Sequence, residues 1–445
     1  MKTYLNMKVI INIVLLGLLI ILGINVFPRV VFSLDYTIPW LLILLGFGIF
    51  LFFYFKKKDI FHPVGIFSLI WFATIGLSNF KLSNLQSDWS LKMWLTVAFT
   101  YLFFVLGFYL SKKLKLSFLT DLQEKASIDK VRFEKFIQIL FIICFLTYIV
   151  EVIQFGALPI FSESTRAYKD FGIQFVHYLT VSLVIVNFLI IVHYLKYKEF
   201  NIPFFVYFLL STLAIVSMLS RQLIIFLFIV IVVAINYLAK RFKLNLILFI
   251  GIIALLIFNL LGNMRTNSAH YILQVGQMKE GVDSPLFAWL YLYLGMGYEN
   301  LNYYINNFDQ MFYGARTFLP IFAFTLTKGL IDYDYGKFLP SEYFTTSTLA
   351  YDFYLDFHLV GVILFPLLIG LLSGVIYKRL EESKDVTNVL LYSMFVHNLV
   401  FIFFINFFSN TTWFFQFCLI LLFIVITNQS FGKYVKNLKW GKNNV

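Results

Sequence analysis

Arg166, Arg221, Arg265 and Arg316 are the residues of this chain whose chemistry is easiest to name. A guanidinium holds its charge at any working pH and meets a phosphate or carboxylate through two parallel hydrogen bonds. Just above a bilayer such groups suit a lipid-linked phosphate or diphosphate. They would serve equally as interfacial anchors or as partners of nearby acids. Around them stand Glu163, Glu299, Asp352, Asp356 and His358, each able to take a proton from a hydroxyl within hydrogen-bond reach. Asp352 and Asp356 are four apart and share a face if a helix begins early enough to include both. Bound cations would stabilise the negative charge that develops on a departing diphosphate. Glu151 and His177 lie near other helix ends on the same side. His397 sits inside an apolar helix, where a hydrogen-bonded structural role is expected.

The elements that must position these groups are membrane helices. Hydrophobic residues are 60% of the 445 and charged residues 13%, with a mean hydropathy of +0.84, far outside the range of soluble domains. The apolar windows are about 20 residues long, the length of a helical crossing, where a β-barrel would show alternating segments of about ten. Helices are expected near 9–27, 37–55, 60–78, 91–110, 136–156, 174–195, 202–219, 222–239, 244–262, 358–377, 386–408 and 412–430. The run from Ile202 to Ala239 has Arg221 as its one charge before the basic segment that follows. At about 1.5 Å per residue it is too long for one crossing of a ~30 Å hydrocarbon core. It therefore reads as a hairpin with Ser220, Arg221 and Gln222 at the tip.

The net charge of +12 is distributed as topology and not as a nucleic-acid footprint. Lys2, Lys8, the 56–58 triplet, the basic 112–135 loop, Lys196, Lys198, Lys240, Arg241, Lys243, Lys378, Arg379, Lys384 and the tail lysines all fall on one side of a twelve-crossing map. The positive-inside rule makes that side cytoplasmic, with both termini inside. Arg29, Arg166, Arg221, Arg265 and Arg316 then face outward, where the rule disfavours them. No small-residue cleavage site follows the first apolar run, so a retained helix is expected rather than a signal peptide. Cys144 and Cys418 fall in apolar segments and suggest neither a disulfide nor a metal site.

Three regions follow: nine helices over 1–262, a large extracytoplasmic loop over 263–357, and three helices with a cytoplasmic tail over 358–445. The loop carries 12 of the 27 tyrosines. Tyrosine suits an interfacial belt and equally a carbohydrate groove. It also holds two apolar stretches, 286–298 and 317–330, too short to cross and expected to lie in the interface or re-enter it. A second outer loop, 155–172, has turn residues at both ends and Glu163, Arg166, Lys169 and Asp170 between. The sequence has no HExxH, Walker loop, GxGxxG after a strand or nucleophile elbow. The triplet Asn410–Thr411–Thr412 fits a glycosylation acceptor but hugs the membrane.

The chain resembles bacterial oligosaccharide repeat-unit polymerases, the O-antigen or capsule polymerases of Wzy type. The resemblance rests on GALPIF…R…G over 156–172, SR at 220–221, NMR at 263–265, YGARTFLPIF at 313–322 and the stretch 346–377. It implies a GT-C-like, all-α membrane glycosyltransferase of the cytoplasmic membrane. Such an enzyme transfers a growing glycan from undecaprenyl diphosphate to an incoming lipid-linked repeat unit, without nucleotide sugar, cofactor or metal. It implies membrane lipids, a chain-length regulator and a flippase as partners, and no nucleic acid. Arg166, Arg265 and Arg316, with Arg221, would engage the diphosphate. Asp352, Asp356, His358 and Glu299 would be the catalytic candidates. Where the family pattern has DFG, this chain has DFH, with His358 in place of glycine. Two rivals stay open. A flippase or other transporter would carry midplane charges or paired broken helices, and a ligase of the same broad fold would differ in its acceptor.

Overall fold

In a computed structural model, the structure describes residues 31, 33–113, 128–162, 170–242, 271–327, 329 and 335–428. The principal helices are α1 (Thr37–Lys57), α2 (Pro63–Ser78), α3 (Leu91–Ser111), α4 (Lys130–Phe155), α5 (Leu183–Tyr197), α6 (Ile202–Ser217), α7 (Arg221–Leu238), α8 (Pro285–Asn307), α9 (Leu349–Glu382), α10 (Val386–Val400) and α11 (Thr411–Thr427). Among the described residues there is no strand, only two isolated bridges, Ser83 with Met278 and Ile128 with Asn428.

Six helical segments are long and apolar enough to cross a membrane: Thr37–Lys57, Leu91–Ser111, Lys130–Phe161, His177–Tyr197, Arg221–Leu238 and Leu349–Glu382. Four shorter apolar helices, α2, α6, α10 and α11, accompany them. Each of these ten lies on a segment expected from hydropathy; the expected helices near 9–27 and 244–262 lie outside the described residues. Large apolar side chains stand exposed along α1 and α4, among them Leu44, Phe55, Ile139 and Ile153. A contiguous apolar surface of this kind needs hydrocarbon around it. The protein is a membrane protein.

Helix starts are set by short polar side chains that satisfy orphan backbone donors. Asp129 accepts from Arg132 N, Asn201 from Phe204 N and Ser284 from Phe287 N. Asn410 accepts from Trp413 N, so the side chain of the glycosylation-like triplet is the cap of α11.

The chain forms two compact units, one of residues 1–105, 242–368 and 399–407, the other of 106–241, 369–398 and 408–445. In the first unit α1 packs on α2, and α2 on α8. Gly76 makes the first contact possible, because a Cβ there would meet Pro39 O at 2.6 Å. Thr74 Oγ1 and Tyr298 OH are 2.8 Å apart, and Ser78 Oγ donates to Gly295 O. The stretch 286–298 is the first part of the 23-residue α8. The polar residues that continue the helix, Glu299, Asn300 and Asn302, are buried. They are held there by hydrogen bonds, a form of burial that hydropathy does not register. The stretch 317–330 contains only the short helix Leu319–Phe324 among its described residues.

In the second unit α5 packs against α4, α6 and α7. Every residue from Leu183 to Leu189 is fully buried, and Asn187 reaches Thr212 Oγ1 at 3.0 Å. His397 is buried with Nδ1 3.1 Å from Asn398 Oδ1 and its ring edge-on to Phe226.

Candidate functional site

The helix expected near 358–377 begins nine residues earlier, at Leu349, and this places Asp352 and Asp356 one turn apart on α9. Four backbone N–H groups fasten the 312–317 turn to that turn of helix. Phe312 N donates to Leu355 O at 3.1 Å and Tyr313 N to Asp356 O at 3.2 Å. Arg316 N donates to both carboxylate oxygens of Asp356 at 3.2 Å, and Thr317 N to Oδ2 at 2.6 Å. Gly314 makes the turn possible: its φ is +96°, and a Cβ would meet the Phe318 ring at 2.7 Å.

The turn aims the Arg316 side chain at α9, where Nε donates to Asp352 Oδ1 at 3.1 Å. Asp352 is 4% exposed and Arg316 23%, so the cation reaches the surface and the carboxylate that holds it does not. Asp356 is fully buried. Two of the three acids expected as catalytic groups are therefore engaged, Asp352 by a guanidinium and Asp356 by backbone.

Two residues beyond Asp356 the helix breaks. His358 has φ 48° and ψ −137°, a conformation that non-glycine residues rarely adopt. The break brings the next turn so close that a Cβ on Gly361 would lie 2.0 Å from Phe353 O. The His358 ring stacks on Tyr354, centroids 5.1 Å apart. His358 Nε2 is buried with no hydrogen-bond partner among the described residues. Tyr304 lies edge-on to Tyr354 at 6.3 Å. Lys92 Nζ is 6.0 Å from the centre of the Tyr354 ring and 3.5 Å from Asp309 Oδ1.

Glu299 belongs to a different contact in the same unit. Its Oε1 accepts from Ser87 N at 3.2 Å and Ser87 Oγ at 2.8 Å, and Asn302 supports Ser87 from one turn along α8. Burial raises its carboxyl above the usual range, against the opposing hydrogen bonds from Ser87. Arg221 opens α7 in the second unit, after a turn in which Leu219 has φ 54°. Arg166, Arg265 and Glu163 lie outside the described residues. Among the described residues no group of three His, Cys, Asp or Glu side chains is placed to hold a metal ion.

Reading the sequence did not single out Lys92, Tyr354 or Tyr304. Lys92 carried a signal: it is a lysine on the side where the charge bias disfavours one.

The O-antigen polymerase family model matches residues 59–403, a stretch that contains both the 312–317 turn and the head of α9. The chain belongs to the O-antigen polymerase family. No curated protein and no solved structure matches it. For an O-antigen polymerase family member, the Arg316 turn is a polar assembly at a helix head inside the matched stretch. Its substrate class is a lipid-linked oligosaccharide, and its setting is the membrane.

Proposed function

We propose that the chain polymerises lipid-linked oligosaccharide repeat units at the outer face of the bacterial cytoplasmic membrane. It transfers the growing glycan from undecaprenyl diphosphate to an incoming repeat unit, as a membrane glycosyltransferase of GT-C-like fold. Twelve crossings with both termini cytoplasmic follow when the expected helices at 9–27 and 244–262 join the ten described ones. The observation that carries the reading is the Arg316 side chain, held by Asp352 at the head of α9 and partly exposed.

In this reading Arg316 binds the diphosphate and stabilises the charge that builds there as the anomeric C–O bond breaks. Asp352 and Asp356 act through it. Asp352 orients the guanidinium and Asp356 fixes the backbone from which it projects. A group fixed before the reaction has no reorganisation to undergo during it. The unmatched His358 Nε2 suits a hydroxyl of a sugar. Glu299 holds the 79–90 loop against α8 through Ser87. Arg166, Arg221 and Arg265 are further diphosphate contacts, carried from the sequence pattern. A chain-length regulator and a flippase are the protein partners that fit this role.

The test is glycan length on gels from cells lacking the gene, rescued by wild type or by Arg316→Ala, Arg221→Ala and Arg166→Ala. The expected result is a ladder with wild type and single repeat units with Arg316→Ala at equal membrane abundance. Repeat units trapped on the cytoplasmic leaflet in the deletion strain would instead mean a flippase. A wild-type ladder from Arg316→Ala would remove the proposed diphosphate contact.

A further inference from the structure

A diphosphate on an isoprenoid carrier is an anion that passes at once into hydrocarbon, and the surroundings of Arg316 have the same order. In the sequence Arg316 is the single charged residue between Asp309 and Lys328. Phe318 N donates to Gly314 O at 2.9 Å and Leu319 N to Arg316 O at 3.3 Å. The short helix Leu319–Phe324 therefore grows directly out of the turn that carries the cation.

The turn rests on phenylalanine rings of the same unit. A Cβ on Gly314 would meet the Phe318 ring at 2.7 Å and the Phe357 ring at 3.4 Å. Phe318 lies edge-on to Phe365 with 5.9 Å between centres, and Phe365 stacks on Phe353 at 4.8 Å. Phe353 and Phe365 are twelve residues apart in the sequence. A straight helix would separate them by about 18 Å. The break at His358 is what brings the two rings together under Arg316.

One side of this assembly is buried and the other is bare. Pro320 and Ala323 are buried, whereas Phe318, Ile321 and Phe324 are exposed. After the break Val360, Leu364 and Leu368 are exposed as well, four apart and hence on one face of α9. The contact between Phe318 and Phe365, the neighbour of Leu364, joins the two sets into one strip. From Leu359 to Leu368 the helix has no charged residue.

Bilayer lipid would cover an apolar surface anywhere on the protein, so the cation at the top of the strip is what distinguishes this one. In a phospholipid, glycerol and two ester groups separate the phosphate from the chains. In an isoprenoid diphosphate the chain starts at the phosphate oxygen. Between Arg316 and Phe318 stands only Thr317, itself buried with its N–H on Asp356. The strip thus begins at the cation and leaves no polar band for a glycerol.

We infer that the strip from Phe318 and Ile321 to Leu364 and Leu368 seats the first isoprene units of the substrate's lipid carrier, an inference that rests on Arg316 holding the diphosphate. The chain leaves one phosphate along the strip, and the glycan on the other phosphate extends away from it. The seat orients the anomeric bond and favours isoprenoid carriers over phospholipids. Because the chain already lies in hydrocarbon, what it gains here is packing and not removal from water.

The test uses the full chain in phosphatidylcholine proteoliposomes and two photoreactive probes. One is an isoprenoid diphosphate with a diazirine in its first isoprene unit; the other is phosphatidylglycerol with a diazirine at the top of an acyl chain. The isoprenoid probe should label the 318–324 segment and α9 near Leu364. Excess unlabelled undecaprenyl diphosphate should abolish that labelling, excess phosphatidylglycerol should not, and Arg316→Ala should weaken it. Equal labelling by both probes, or labelling that undecaprenyl diphosphate does not displace, overturns the seat and leaves an ordinary lipid-facing surface.

Polymer formation from lipid-linked repeat units in the same vesicles scores the polymerase reading separately. Polymer without displaceable labelling overturns the seat alone; displaceable labelling without polymer supports the seat and removes the polymerase reading. Ile321 is 50% exposed, so its replacement puts the fold least at risk. Ile321→Ser should raise KM by about 3- to 10-fold at unchanged kcat, the size of a packing contact inside a bilayer. A repeat unit whose diphosphate carries a methyl group in place of the isoprenoid should show no difference between this variant and wild type. The same change on both substrates, or none on either, overturns the seat. Should Ile321→Ser fail to accumulate, the labelling of wild type decides.

Discussion

Asp356 in the first unit and Glu151 in the second are both buried carboxylates that tie a loop to a helix, and they differ in what they hold. Asp356 takes two backbone N–H groups, and its neighbour on α9, Asp352, takes a guanidinium. That assembly has a fixed charge, because arginine does not lose its proton in proteins. Glu151 takes one backbone N–H and an imidazole, which can donate from one nitrogen and accept at the other. The first arrangement suits a permanent anion, and the second orients an imidazole. The same residue type at the root thus serves two tasks, and the partner decides which.

The sharpest way to break this contrast is Arg316→Ala. With no cation at the head of α9, chain extension should fall on the order of 10²- to 10³-fold, the cost of one electrostatic contact to a developing charge. Arg316→Lys should recover only part of it, since an ammonium cannot reproduce the planar fork. In vitro rates at matched protein amounts decide the point. Asp356→Ala should act differently, through the fold. Two backbone donors lose a charged acceptor, at a cost of about 3 kcal/mol, read as a lower Tm in detergent. Equal effects of the two variants on Tm would show that Arg316 is itself a structural residue.

A smaller effect is expected at His358. Its backbone, at φ 48° and ψ −137°, lies where an L-residue is strained. His358→Gly should relieve about 1 kcal/mol, raising Tm, and yet shorten the glycan if Nε2 binds sugar. His358→Ala keeps the strain and loses only the ring, so the pair separates backbone from side chain. Glycine takes a positive-φ backbone of this kind without steric cost. A variant that gains stability and keeps full glycan length would show that the histidine has no part in binding.

Hydropathy located the ten described apolar helices because crossing a bilayer demands a run of apolar residues, and such a run is local in sequence. It was blind where burial is achieved by hydrogen bonds. The polar part of α8 is buried through Glu299, Asn300 and Asn302, and the head of α9 through aspartates and tyrosines. Neither looks like a helix that belongs in the interior. The shared face of Asp352 and Asp356 was legible from their spacing alone. Their link to Arg316 was not, because it spans 36 to 40 residues and depends on a turn that Gly314 makes possible. The break at His358 lies inside a continuous apolar helix pattern and has no Gly or Pro to announce it. The Glu151–His177 contact likewise joins residues 26 apart across a loop.

The smallest predicted effect concerns Glu299, another buried carboxylate, held by the backbone and hydroxyl of Ser87. Ser87 supplies hydrogen bonds to one oxygen, while the other oxygen is buried without a partner among the described residues. Burial raises its carboxyl above the usual range, so the folded protein favours the protonated form more than the unfolded chain does. The linked stability is fully present below the ordinary carboxylate value, about 4.3, and is lost as pH rises through the folded one. Glu299→Gln removes that ionisation while keeping an acceptor for Ser87. Its stability should match wild type within about 1 kcal/mol below about pH 4, and its Tm should lie progressively above that of wild type as pH increases. Tm curves in detergent from acid to alkaline pH check the sign. A wild type that instead gains stability over Glu299→Gln with rising pH would mean that Glu299 is ionised and held by a cation, as Asp352 is by Arg316.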